Sequence, residues 1–312
     1  MIETRQLYVA IEEWLDIYKK NSVKPLTYDR LITSYRLLQK DTIAILPVDE
    51  IDCEDMQRYI GRLVRDKYSI STIKKQFNLL TAYWKHGMSR GAIEKPVYLG
   101  VSLPTEVSEE IVRDEVQTYS PVEQAKLLHQ LMMLEKPQYG VIVLMLEAGL
   151  RVGEALALRW EDVLWSRKAI KIRRTLIRMS SKPGVTYVQN SPKSKTSRRT
   201  IPLSDKALKV LQKLKERNGA DVGYIFARDD DSSLPYSYSS VEFHIKKLCK
   251  DLVISYKGMH AFRHTFATNC YERGCNVKIL SKLLGHADVS ITYNIYIHLY
   301  GDALEEMRKV LD

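Results

Sequence analysis

The chain has 312 residues, 45% of them hydrophobic, and carries 48 Lys and Arg against 38 Asp and Glu, a formal charge of +10. That length exceeds one small core and suits two domains, and no run of 18 apolar residues exists to span a membrane. The four cysteines (Cys53, Cys249, Cys270, Cys275) are scattered without a Cys-x-x-Cys pair, which points to neither a zinc site nor a disulfide framework.

The acids in the opening MIETRQLYVAIEEW disagree with an export signal, so a cytoplasmic protein is expected. The first hundred residues read as helices. RQLYVAIEEWLDIYKK sets Leu7, Ile11, Trp14, Leu15 and Tyr18 on one face. LTYDRLITSYRLLQK is expected to start at a Thr27 cap behind Pro25. CEDMQRYIGRLVRDK begins with acids and ends with bases, as the helix dipole favours. SISTIKKQFNLLTAYWKHGMSRGAI is long and periodic, with Gly91 as its stop. Residues 1–95 are therefore expected as a four-helix unit. Residues 96–118, with Gly100 and Pro104 and no helical period, are expected as a linker.

A second domain, 119–300, opens on SPVEQAKLLHQLMML. Ser120 can cap, Pro121 suits the first turn and Glu123 completes a capping box. YGVIVLMLEAGLRVGEALAL follows as a buried helix that breaks at Gly149 and restarts near Val152. The strand-like runs AIKIRRTLIR, VTYVQN and RRTIPL come next, the first two joined by a turn at SSKPG. Helices resume from about Ser204. The expected fold is mainly α: a four-helix domain, then an α+β domain with a small antiparallel sheet. In 301–312, Ala303, Leu304, Met307, Val310 and Leu311 recur at helical spacing and predict a tail helix.

Charge is concentrated in residues 167–203, which hold 11 Lys or Arg and no acid. A short basic run is usually a solvated face; eleven bases over strand-like sequence imply a surface facing phosphate. In HAFRHTFATN, His260, Arg263 and His264 fall within five positions. The two histidines could share a helix face, but the glutamate that a zinc hydrolase places after the first histidine is Ala261 here, and Arg263 would repel a dication. Phosphoryl transfer without a metal needs a nucleophile, cations on the nonbridging oxygens, a proton acceptor and an acid for the leaving alkoxide. Arg151, directly after a Gly-Leu break and at the start of a helical segment, suits the cation's task. Glu154 could hold it in place. Read alone, that pair is an ordinary salt bridge.

Four stretches taken together resemble the signature boxes of the tyrosine recombinase (phage integrase) family, in the family's order: EAGLRVGEALALRWEDV, SPKSKTSRRTIPL, HAFRHTFATN and LLGHADVSITYNIYIHL. The resemblance covers roughly 119–300; the first domain resembles the family's core-binding domain in layout only. It implies that Arg151 and Arg263 clamp the scissile phosphate, with Glu154 bracing Arg151. It implies that Lys193, or Lys195 two residues on, protonates the departing 5′-oxygen. His260 would hydrogen-bond the phosphate and accept the nucleophile's proton, and His286 would donate to a nonbridging oxygen. Tyr296 matches the nucleophile by its spacing from His286, with Tyr293 and Tyr300 as competitors. His264 is expected to be structural. Attack would give a 3′-phosphotyrosyl link and a free 5′-hydroxyl, with no cofactor and no metal.

The same resemblance implies site-specific integration, excision or resolution of duplex DNA by a tetramer on DNA, encoded by a bacterium or phage, with accessory DNA-bending or directionality proteins as possible partners. The two domains would clamp the duplex, with Lys74 and Lys75 on one side and Arg173, Arg174, Lys195, Arg198 and Arg199 on the other. Phosphate contacts of this kind weaken with salt by a log–log slope of about −0.9 per phosphate neutralised. The tail helix would be exchanged between protomers. Many relatives carry an arm-binding domain ahead of the core-binding one. This chain opens on the helical unit, as in a simpler or shortened recombinase. The rival readings are a DNA-relaxing enzyme of the type IB topoisomerase kind and a catalytically silent DNA-binding regulator.

Overall fold

The computed structural model describes residues 3–104, 117–179, 186–189, 198–219, 221–286, 288–290 and 292–293. Contacts divide the chain into two units, the first drawn from residues before 114 and the second from nearly all that follow.

The first unit contains α1 (Leu7–Trp14), continued by one π-helical turn (Leu15–Lys19), α2 (Pro25–Leu38), α3 (Cys53–Arg65) and α4 (Ile70–Ser89). Its core is the expected apolar face of α1 (Leu7, Ile11, Trp14, Leu15) closed by Tyr35, Met56, Tyr59, Ile60, Leu80 and Trp84. The α2 start differs from expectation. The helix begins at Pro25 with Lys24 outside it, because proline's fixed φ already fits the first turn and no hydroxyl cap is needed. α3 opens on a reciprocal Asp52–Asp55 capping box. It is tied to the turn before it by Arg62, whose Nε and Nη2 donate to Asp41 at 2.8 and 2.6 Å.

The second unit contains α5 (Pro121–Met133), α6 (Pro137–Ala148), α7 (Val152–Leu156), the strands β1 (Val163–Leu164), β2 (Ala169–Ile172), β3 (Thr175–Arg178), β4 (Thr186–Gln189) and β5 (Arg199–Pro202), and then α8 (Asp205–Asn218), α9 (Tyr238–Asp251), α10 (Met259–Glu272) and α11 (Val277–Leu284). α6 is apolar all round, and Val141 through Leu146 are buried, so it is the central rod on which α5, α8, α9 and α10 pack. The capping box at Ser120 and Glu123 forms as the sequence predicts.

The strands form two antiparallel sheets, β1-β2-β5 and β3-β4. Register pairs Ile172 with Arg199 and Ala169 with Pro202 in one, and Thr175 with Gln189 in the other. AIKIRRTLIR, expected as one strand, is two. It breaks at Arg173 and Arg174, because the buried Asp162 captures both: Arg174 Nη1 donates to its Oδ2 at 2.7 Å and Arg173 Nε lies 3.7 Å from Oδ1.

The expected linker is shortened from both ends. Val97 is buried in the first unit's core, and Gln57 exchanges hydrogen bonds with Ser102. Tyr119 N–H donates to Thr265 on α10, and Lys257 Nζ donates to Thr118 O. Of the expected linker, residues 105–116 lie outside the described residues, as does the tail 301–312.

Candidate active site

Two stops in the chain build the site. α6 ends at Gly149 with φ +64°, a left-handed conformation that suits glycine; a Cβ there would collide with the Phe266 ring. That turn delivers Arg151 to the start of α7, where its N–H donates to Glu154 Oε2 at 3.0 Å and its Nη1 to Oε1 at 2.8 Å. α11 ends at Gly285, also left-handed at φ +67°, and the turn presents His286. Arg151 Nη2 reaches the Gly285 carbonyl at 3.4 Å.

Arg263 comes from the middle of α10 and is buried. Its Nη1 donates to Gly149 O at 2.9 Å and its Nη2 to Leu284 O at 2.6 Å, so one guanidinium joins both turns. The same Nη2 lies 3.0 Å from His286 Nε2. Arginine can only donate, so this imidazole nitrogen accepts. The proton therefore sits on Nδ1, which faces Thr292 Oγ1 at 2.8 Å. Burial, and then the charges of Arg263 and Arg151, pull His286 down to about 4, which keeps it neutral.

Glu154 lies beneath the arginines with 5% of its side chain exposed. Burial alone would raise its pKa. The hydrogen bonds and charge of Arg199, with the charges of Arg151 and Arg263, outweigh that and hold it at about 2. Three guanidiniums and one carboxylate leave this cluster with two net positive charges, bordered by a neutral imidazole. His260, exposed in the first turn of α10, sits one turn before Arg263; partial burial and then Arg263 and Arg151 lower its pKa. His264 is half-buried and lowered to about 4 by burial, His260 and Arg263.

The structure thus brings Arg151, Glu154, Arg263 and His286 into one contact network, with His260 beside it. Lys193, Lys195, Tyr296 and Tyr300 lie outside the described residues; Tyr293 is 53% exposed. Of the expected DNA contacts, Lys74 and Lys75 are exposed on α4 and Arg198 is exposed at the head of β5. Arg173 is half-exposed, whereas Arg174 is 13% exposed and bound to Glu161 and Asp162.

Arg199 departs from its expected place. Its side chain is 6% exposed, and it lies among the buried arginines around Glu154 rather than on an outer surface. Its Nη1 and Nη2 donate to the two Glu154 oxygens at 3.0 and 2.8 Å, and its Nε donates to Leu283 O. Two-residue periodicity could have shown this. Arg199 shares a strand face with Ile201, which is fully buried, while Arg198 and Thr200 point out. Thr292, buried against His286, was also not singled out, since its partner is set by a turn rather than by a pattern. Beside the cluster a cavity of about 830 Å³ is lined by Arg159, Lys171, Arg173, Arg174, Arg198 and Arg199. Arg159 lies over the Tyr224 ring at 4.8 Å, a stacked guanidinium with no signal in the local sequence pattern. No group of three or more potential metal ligands occurs among the described residues.

The sequence of the phage integrase family matches residues 120–302. The chain is 28% identical to the "Tyrosine recombinase XerC-like" protein of Caldanaerobacter subterraneus subsp. tengcongensis, over 92% of this chain and 77% of that one. Among solved structures, the integrase of transposon Tn1549 in complex with transposon right end DNA superposes with a TM-score of 0.75, at 21% identity over 98% of this chain and 100% of that one. A lambda integrase tetramer bound to a Holliday junction gives 0.67, at 16% identity over 94% and 77%. The chain belongs to the phage integrase family, the tyrosine recombinases, whose members are DNA strand-transferring enzymes.

Proposed function

We propose that the chain cuts and rejoins duplex DNA at specific sites through a 3′-phosphotyrosyl link to Tyr296. The observation that carries this reading is the convergence of Arg151, Arg263 and His286, held by Glu154 and by the carbonyls of two left-handed turns. Such a cluster binds an anion. Each guanidinium is fixed by its second-best partners, backbone carbonyls and a shared carboxylate, so a phosphodiester arrives at donors already in place.

In this mechanism Arg151 and Arg263 take the nonbridging oxygens and stabilise the charge that grows on them as the phosphorus becomes five-coordinate. A phenol with an ordinary pKa near 10 must lose its proton as it attacks. His260, kept neutral beside the arginines, accepts that proton. Lys193, or Lys195, supplies one to the departing 5′-oxygen. His286 holds its Nε2 lone pair toward Arg263 in the free protein. A bound phosphate offsets the positive charges that depress this imidazole, so it can take up a proton and donate to the phosphate. A 5′-hydroxyl from a second strand reverses the step, so no external energy source is consumed. Lys74, Lys75, Arg173 and Arg198 contribute backbone contacts that set register and affinity rather than sequence choice. By analogy with the lambda integrase tetramer, four copies assemble on paired sites, and the reaction takes place in the bacterial cytoplasm.

The test is incubation with a suicide duplex carrying the chain's own site, followed by a denaturing gel. The reading expects a protein–DNA adduct that forms equally in the presence of a chelator. Binding without an adduct would support a silent regulator. Relaxation of supercoiled plasmid lacking the site would support a topoisomerase.

A further inference from the structure

We propose that Arg199 is a positioning residue for strand cleavage: it is the dedicated counter-ion of Glu154, and it thereby leaves the charges of Arg151 and Arg263 available to the scissile phosphate. The inference rests on the recombinase reading above and assigns a role to a side chain outside the catalytic set.

Three arginines approach the carboxylate of Glu154; Arg263, with Nη1 3.9 Å from Oε2, is the farthest and makes no hydrogen bond to it. Arg151 reaches it through one guanidinium nitrogen and its own N–H, at 2.8 and 3.0 Å. Arg199 takes both oxygens in a fork, at 3.0 and 2.8 Å. A paired fork is the stronger arrangement. Arg199 is also the deeper partner, 6% exposed against 36% for Arg151. The carboxylate's charge is therefore met from below by a group that stays buried, and Arg151 remains the one turned outward. Were Glu154 to face Arg151 alone, the two would cancel and a substrate would have to break an ion pair to gain that arginine.

The same side chain sets the neighbouring turn. Arg199 Nε donates to Leu283 O, just ahead of the turn that presents His286. Gly285 leaves room for this: a Cβ at that position would lie 3.0 Å from Arg199 Nη1. β5 is thus coupled to both Arg151 and His286 through one guanidinium. Lysine keeps the charge but has no fork to span two carboxylate oxygens while also holding a carbonyl.

Charge arithmetic gives a test that packing alone does not mimic. Three arginines and one glutamate sum to +2. Arg199→Met lowers this to +1, and adding Glu154→Gln restores +2 with similar side-chain volumes. Single-turnover cleavage would be measured with the full chain on a suicide duplex bearing its own site, with either a normal or an uncharged methylphosphonate linkage at the scissile position. Arg199→Met should slow cleavage of the normal linkage about 100-fold, the scale of losing one preorganised transition-state donor, while binding the duplex as wild type does. The double variant should regain at least about tenfold of that rate. On methylphosphonate, whose transition state carries one negative charge fewer, the gap between wild type and Arg199→Met should shrink to less than about fivefold. Equal deficits on both linkages, or a double variant no faster than the single one, would overturn the proposal and leave a packing role. Should Arg199→Met not fold, the comparison passes to Arg199→Lys and Arg199→Gln: the charged variant must cleave the normal linkage faster, and equal rates overturn the idea. A wild type that forms no adduct on either linkage fails the recombinase reading itself, which separates the two outcomes.

Discussion

His286 shows how much the site depends on single contacts. Its tautomer is fixed from both sides, by a guanidinium that can only donate to Nε2 and by the Thr292 hydroxyl at Nδ1. Thr292→Val keeps the shape and removes the hydrogen-bond partner. A buried hydrogen bond of this kind is worth about 1 kcal/mol, so cleavage should slow roughly fivefold, with little change in DNA affinity, as measured by single-turnover rates beside binding titrations. At this scale the sequence pointed to Arg151, Arg263, His286 and the Glu154 brace, but not to the places of Arg199 and Thr292. Arg151, Arg263 and His286 stand inside distinctive boxes. Arg199 sat in a basic run whose bulk composition spoke of surface, and only its alternation with Ile201 pointed inward. Thr292 carries no local signal, because a threonine before a tyrosine fits any helix.

The elements follow local chemistry closely where that chemistry is self-contained. Ser120 and Glu123 cap α5 with their own side chains, so four residues decide the outcome. Ser120→Ala should cost about 1 kcal/mol, read as a drop of a few degrees in the melting temperature. The two sheets were harder to read. AIKIRRTLIR has the composition of one strand, and its division at Arg173 and Arg174 comes from Asp162, about ten residues upstream and buried. The extended segment that follows α4 shows a related limit. Val97 and Ser102 have no periodic partner in sequence, and their contacts with the first unit's helices appear only once those helices pack. Periodicity reports faces of regular elements; it says nothing about extended segments laid over a finished core.

For the whole molecule, the buried titratable groups set a pH dependence with a definite sign. His264 and His286 each sit at about 4, below the ordinary 6.5, so between those values the unfolded chain binds more protons than the folded one. Their contribution to stability is complete above about pH 6.5 and is lost as pH falls toward 4. Glu154, at about 2 against an ordinary 4.5, adds a loss of the same sign at lower pH. The free energy of unfolding should therefore decline from pH 7 to pH 5, by at most about 1.4 kcal/mol per pH unit for each histidine, and the melting temperature should fall with it. Replacing both histidines with glutamine should flatten that stretch of the curve. A curve already flat in wild type would show that these imidazoles titrate normally.

The central claim is that this cationic cluster activates one particular phenol against DNA phosphate. The most direct measurement is to trap the protein on its own site, digest the adduct and locate the nucleotide-bearing peptide by mass spectrometry. The account predicts the modification on Tyr296, absent in Tyr296→Phe and in Arg263→Ala. Nucleotide found instead on Tyr293 or Tyr300, or an adduct that forms as readily without Arg263, would contradict it.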